Sequence, residues 1–518
     1  MDINDKAKLY LTEFLKYKKI EKQPVNEETI RVTRVAAVFS FFYEKIRQAV
    51  DYQEEHLLRR VATERILSRL FVTNHTDNET IAKNLIKELI WARYLKNETI
   101  PVSKIGEIAE VISKYKEVIK ELDGKQREWV LSVASTEIEK RLVSFEKQDA
   151  LINFAFEVLK DEILKADDGQ DVSQKQLLLF LSLHRNLLKS DRAILRFHLL
   201  LYYFPTLLKT TEEERETLIK NIGDWIIKIE QIIDDPMGEK YDRYVKKQVV
   251  PFWILRDVLM EDNAEEIIND DQKFKEIVER ICTDRYLHTR EKLQRMVVRS
   301  VIYIFLTKMV FALLLEVPAD KWIYHETNWI NIAINTITPP FAMYVIASTV
   351  KVPGNNNTVK ILEGLKRLVY EGKPPYAALY LYFKKKGLGH KIFTAVYFLT
   401  FFVTLGVILK LLSLLQFTPV SALIFIMFLS VVSFFGMQIR KRAIELDVTG
   451  PAEGILDPLL DIFSIPILRL GRLLSSEIIK INVFSFILDF IIEAPFKSVV
   501  DIFEQWVKFT REKKEEIV

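Results

Sequence analysis

Cysteine is nearly absent: Cys282 is the only one in 518 residues. That excludes an intramolecular disulfide and a cysteine-built metal cage, and it suits a reducing compartment. Glycine and proline are scarce in the first part of the chain, where only five of the 15 Gly and five of the 16 Pro precede residue 296. A stretch with so little helix punctuation reads as almost wholly helical. No basic start followed by an apolar core opens the chain, so no secretory signal peptide is expected. Charge of one sign is missing too: 74 Lys and Arg face 71 Asp and Glu, which argues against a nucleic-acid-binding protein. None of the motifs H-E-x-x-H, G-x-S-x-G, G-x-G-x-x-G or Walker A occurs. No catalytic residue, cofactor or metal site is therefore assigned, and no enzymatic activity is expected.

Long apolar runs are what the sequence does have. Residues 391–415 carry charge only at Lys391 and Lys410, and residues 419–438 carry none. Each is long enough to cross a hydrocarbon layer about 30 Å thick, and in lipid such runs must be helices to satisfy their own backbone. Residues 296–315 and 328–350 are also of spanning length, although Arg299 and Lys308 interrupt the first and Asn331, Asn335, Pro339 and Pro340 the second. About four transmembrane helices are expected.

Charge placement supports that count. The loop 351–390 holds nine lysines and arginines with Lys391, and Arg440, Lys441 and Arg442 follow the fourth span directly. Excess Lys and Arg marks the cytoplasmic side. The loop from Glu316 to Thr327 has three acids, one lysine and aromatic residues suited to an interface, so it should face outward. The expectation is a multi-pass protein of the cytoplasmic membrane with both termini in the cytoplasm.

The remaining segments complete an all-α architecture. Residues 1–290 show apolar positions three and four apart over a succession of helices and form a large N-terminal cytosolic helical domain. Within it, Glu64, Arg65 and Arg69 read as a solvated face, and the run around His184 and His198 as a buried hairpin turning at Ser190. The acidic turns Ala166–Asp171 and Asp234–Glu239 lack the alternating carboxylates and sixth-position Gly of a calcium loop and read as helix-linking turns. Residues 451–518 read as amphipathic interfacial helices and a cytosolic tail, one carrying the polar stripe Asn482, Ser485, Asp489 and Glu493.

Two groups of residues stand out. Lys308 lies deep in the first span, where an ionisable side chain is a functional candidate by default. Asn328, Asn331, Asn335 and Thr338 share one face of the second span, and with Lys308 and Asp489 they outline a polar track through the bundle. Lys384, Lys385 and Lys386, with Arg440, Lys441 and Arg442, are candidate contacts for anionic lipid headgroups, each worth about 1 kcal/mol near such a surface. The economical expectation is a membrane-anchored scaffold or regulatory component whose residues 1–290 bind a protein partner. The alternative is a small-solute transporter or channel component that uses the polar track. The pattern leaves a homo-oligomer open and points to no family.

Overall fold

A computed structural model describes residues 2–21, 27–32, 55–72, 77–120, 122–165, 171–205, 221–325, 328–348, 350, 352–376, 388–450 and 467–471, with isolated positions beyond. The described chain is almost entirely helical, and its only β feature is an isolated bridge between Thr29 and Pro101. Its contacts divide it into two compact units.

The first unit comprises residues 1–262 with 366–381 and 483–518. Its helices are α1 (Asp5–Glu21), α2 (Glu55–Val72), α3 (Asn78–Trp91), α4 (Lys104–Lys120), α5 (Gly124–Leu142), α6 (Glu146–Leu164), α7 (Val172–Leu187), α8 (Arg192–Tyr203), α9 (Ile222–Ile233) and α10 (Gly238–Met260). Several begin the same way: Asp77, Asp123, Asp171 and Asp191 each accept from the backbone N–H three residues on. Such a cap satisfies one of the orphan donors of the first turn and contributes about 1 kcal/mol.

Apolar stripes then decide the packing. Ile81, Leu85 and Leu89 of α3 meet Ile108, Ile112 and Tyr115 of α4, and one core runs on through α2, α5, α8 and α9. Helices α1, α6, α7 and α10 pack in sequence beside one another, with Tyr10 stacked on Phe154 at 4.8 Å.

Charges expected to face water are drawn into this unit. Arg60 is 5% exposed and binds Asp191, Glu64 and Ser135, while Arg59 binds Glu139 and Arg69 binds Glu88. The face of α2 read as solvated is half-buried at Glu64, Arg65 and Arg69. The hydrophobic period identifies which side of a helix packs, but a second neighbour covers the polar side too, and only ion pairing makes that tolerable.

The hairpin α7–α8 does turn at Lys189 and Ser190, with Lys189 in the left-handed region, and it brings the His184 and His198 rings to 4.2 Å. The unit also takes in part of the basic loop. Asn4 N–H donates to the Val369 carbonyl, and Gln248 exchanges two hydrogen bonds with the Tyr376 backbone.

The second unit comprises residues 263–365 and 382–482. It contains α11 (Ala264–Asn269), α12 (Asp271–Phe311), α13 (Trp329–Ser348), α14 (Asn355–Lys366), α15 (Leu388–Leu414) and α16 (Pro419–Ala443). Where the sequence reading ended the N-terminal domain at residue 290 and began a separate span at residue 296, the structure has one helix. No Gly or Pro lies between Asp271 and Val317, so the shift from polar to apolar side chains does not interrupt the backbone ladder. Beyond Phe311 the helix continues as a π-helical turn at Ala312–Glu316, a short α turn at Val317–Ala319 and a second π turn at Asp320–Tyr324. Pro318 lies between the two π turns and cannot donate to the Leu314 carbonyl, and widened turns are a recognised way to absorb such a defect.

Among the described residues, three helices are long and apolar enough to cross a membrane: Asp271–Ile323, Trp329–Ser348 and Pro419–Ala443. Helix α15 adds 27 residues whose portion Phe398–Leu414 is apolar. Helices α12, α13 and α16 pack against one another around Ile304, Met343, Phe428 and Val432. Their outer surfaces remain apolar, with Leu314, Phe341 and Leu423 exposed, as a lipid-facing surface requires. Helix α13 runs unbroken through Pro339 and Pro340, both buried against its neighbours, so the sequence-based expectation of a break there is replaced by a continuous helix.

Candidate functional site

Polar side chains collect at one end of this three-helix bundle. Lys308 is fully buried, and its ammonium lies 3.3 Å from Glu316 Oε2 and 5.1 Å from the centre of the Phe428 ring. Glu316 is fully buried as well. Its other carboxylate oxygen accepts from Asn335 Nδ2, which also donates to the Ser421 carbonyl at 3.1 Å. The Ser421 hydroxyl bonds the same carboxylate.

The π turn explains why Lys308 and Glu316 meet. In a regular α-helix, eight residues leave two side chains about 80° apart around the axis. The Ala312–Glu316 turn advances less per residue and swings Glu316 onto the Lys308 face.

Hydrogen bonds lead from this pair towards the end of the bundle. The Ser421 N–H donates to Thr418 Oγ1, whose hydroxyl donates to Asp320 Oδ1 at 3.0 Å. Asp320 is 2% exposed, and among the described residues it has no ion-pair partner. Asn331 Nδ2 donates to the Gln416 carbonyl at 2.8 Å, which fixes α13 to the turn between α15 and α16. Asp320 and Lys308 are 12 residues apart in sequence, so the chain of polar groups extends over about three helical turns.

Inward of Lys308 the buried Phe428 and Met343 follow, with the Phe311 and Phe428 rings edge to face at 5.4 Å, and the next described buried polar side chain on α16 is Ser430. No family model, no curated protein and no solved structure matches this chain. Its site is therefore judged on geometry alone.

The expected residues sort into distinct roles. Lys308 and Asn335 are brought together through Glu316, and Asn331 joins them at the outer end. Asn328 is exposed and caps α13, accepting from the Ile330 and Asn331 backbone. Thr338 donates to its own helix at the Ile334 carbonyl, so it does not extend the polar face inward. Asp489 and Lys384, Lys385 and Lys386 lie outside the described residues. Arg440, Lys441 and Arg442 form the last turn of α16, the first two exposed. Contact of Phe311 with Phe428, and of the later Glu316 with the earlier Ser421, makes α12 and α16 antiparallel. Arg290, Lys292 and Arg295 therefore share the Arg440–Arg442 end, opposite the polar cluster.

Glu316, Asp320, Ser421 and Phe428 were not singled out from sequence. Glu316 and Asp320 sit where the apolar run ends and read as loop acids. The signal available was Pro318, a proline placed to disturb the helix between them.

Among the described residues no group of three or more His, Cys, Asp or Glu could hold a metal ion. The His184–His198 pair is enclosed by Phe180 and Phe197. Burial, and then the nearby Lys140 charge, push His184 down to about 3. His198 is held well below the usual imidazole range by burial, followed by His184 and Lys140. Both rings are neutral at physiological pH, and they serve as packing groups of the hairpin.

Proposed function

We propose that the chain is a multi-pass protein of the cytoplasmic membrane that presents its first unit to a protein partner on the cytosolic face. The observation that carries this reading is the size and self-sufficiency of that unit. Its described residues form ten helices, several of them closed around one apolar core and joined by buried ion pairs, which is far more structure than an anchor needs. Four crossings, by α12, α13, α15 and α16, fit the chain best. Arg290, Lys292 and Arg295 then lie with Arg440, Lys441 and Arg442 at the cytosolic end of the bundle, in keeping with the positive-inside rule, and Trp322 lies at the outer interface. Lys384, Lys385 and Lys386 join that cytosolic end in this reading, where anionic headgroups are within reach.

The buried Lys308 cluster favours a second reading, a small-solute transporter or channel component, because intramembrane charge is costly and usually functional. The apolar Phe428 and Met343 inward of the cluster count for the interaction reading, since a conducting path would need to continue past them.

The test is photo-crosslinking in native membranes with a photoreactive residue placed in the full chain at Leu9, Tyr202 or Ile227, all exposed on the first unit, or at Leu423 in the bundle. A discrete adduct of one mass from at least one site on the first unit, absent at Leu423, is expected. Adducts to lipid alone from every position would remove the interaction reading. Orientation is checked separately with cysteines at Lys321 and Asn356 in a Cys282→Ser background. Only the first should label from outside intact cells.

A further inference from the structure

The buried cluster at the outer end of the bundle does not balance its charge. Glu316 and Asp320 are both buried, and among the described residues Lys308 is the one cation buried with them. The three side chains together carry a formal charge of −1 when all are ionised. The ammonium is already engaged with Glu316 and Phe428, and Asp320 receives only the Thr418 hydroxyl. A net charge in a low-dielectric interior is strongly disfavoured unless a counter-charge arrives.

A second observation, independent of charge, points the same way. Asn335 is fully buried, and its Oδ1 receives no hydrogen bond. The same amide bonds Glu316 through Nδ2, so the empty-handed oxygen stands within one amide width of the carboxylate. Pro339 adds to this acceptor surplus, because it cannot donate to the Asn335 carbonyl four residues earlier. Unsatisfied buried acceptors are rare and costly to leave unpaired.

The chemistry of the surplus is uniform. Carboxylate oxygens of Glu316 and Asp320, the amide oxygen of Asn335, and the hydroxyls of Ser421 and Thr418 are all hard oxygen donors, the set that suits alkali and alkaline-earth ions rather than transition metals. One unit of positive charge neutralises the cluster, whereas a divalent ion would leave it at +1.

We propose that Glu316, Asp320 and Asn335 form a binding site for a small monovalent cation such as Na+, entered from the Trp322 end of the bundle, with the Lys308 ammonium as its internal competitor for Glu316. Competition is built into the geometry: Lys308 sits 3.3 Å from Glu316 Oε2, longer than the roughly 2.7–2.9 Å of a tight charge-assisted bond. Removing the ammonium should therefore strengthen cation binding, the reverse of what loss of a ligand does. Cation binding here is independent of the partner-binding role, since it requires no partner and no flux.

The experiment is equilibrium binding of radioactive Na+ to the purified full chain in lipid nanodiscs, with choline holding ionic strength constant. One saturable Na+ per chain is expected. Glu316→Gln, Asp320→Asn and Asn335→Ala should each weaken it at least tenfold, and Lys308→Met should tighten it. Ser430→Ala, a buried hydroxyl in the same bundle but away from the cluster, should leave it unchanged. Folding of each variant is checked by circular dichroism and monodispersity. Should Glu316→Gln fail to fold, Glu316→Asp keeps the charge on a shorter side chain and should bind more weakly than the native chain.

Absence of saturable Na+ binding overturns the proposal, and so does binding of equal strength in native and Glu316→Gln protein. Weaker binding in Lys308→Met would overturn the competitor role. A chain that takes up a proton on acidification but never Na+ would mark the centre as a proton site and overturn the cation assignment.

Discussion

Lys308→Met removes one partner of an ion pair in which both side chains are fully buried. At 3.3 Å and an effective dielectric constant of about 20, the mutual attraction is about 5 kcal/mol, most of it offset in the native chain by the desolvation of both charges. The single variant loses the attraction and keeps the buried carboxylate, so it should be destabilised by about 3–5 kcal/mol. Glu316→Gln strands the ammonium and should cost a similar amount. The double variant buries neither charge, and Gln can still accept from Asn335. Its loss should be much smaller than the sum of the two, leaving a coupling of at least about 2 kcal/mol in a double-mutant cycle. The assay is unfolding in mixed micelles with a graded denaturing detergent, followed by circular dichroism at fixed pH and in choline rather than sodium salts. Losses that add to within about 0.5 kcal/mol would show that the two groups do not interact and would refute the pairing produced by the π turn. Addition of Na+ should recover part of the loss in Lys308→Met and none in the double variant.

Gly372 has φ +63° and an added Cβ would run into the Asn4 side chain, so Gly372→Ala should cost about 1–2 kcal/mol for the left-handed backbone alone, against little change for Gly354→Ala, where nothing lies within 4 Å. Asn357 bonds the Tyr286 hydroxyl, the Leu446 carbonyl and the Val448 N–H at 2.9, 2.7 and 2.8 Å; Asn357→Ala should lower stability by about 2–3 kcal/mol, read as a fall in the thermal midpoint of the purified chain. His184 titrates near 6.5 when unfolded and near 3 when folded. Below pH 6.5 the unfolded chain thus binds a proton that the folded chain refuses, and stability falls as pH drops, by about 2–3 kcal/mol at pH 4.5. Denaturant midpoints between pH 7 and pH 4.5 should show this fall and a shallower one in His184→Gln; equal slopes would mean that the imidazole is not what the acid acts on.

Much of the architecture is legible in the amino-acid order. Lengths of apolar run and the scarcity of Gly and Pro mark the chain as helical, because backbone satisfaction and burial of one stripe are local demands. Ser190, read as the turn of a buried hairpin, falls between α7 and α8. Lys308 and Asn335 are also visible from sequence, since a charge or a carboxamide in a span is conspicuous whatever surrounds it.

Tertiary structure alone decided what those residues meet. The pairing of Lys308 with Glu316 depends on a π turn, whose change of register has no signature at either residue. Burial of Asp320 depends on Thr418, 98 positions away. The half-buried charges of α2 are likewise invisible in a periodic pattern, because a helix records which face is apolar but not how many neighbours will cover the other. Apolar periodicity is a property of one segment; the partner of a buried charge is a property of the packing between segments, and that is settled only when the helices come together.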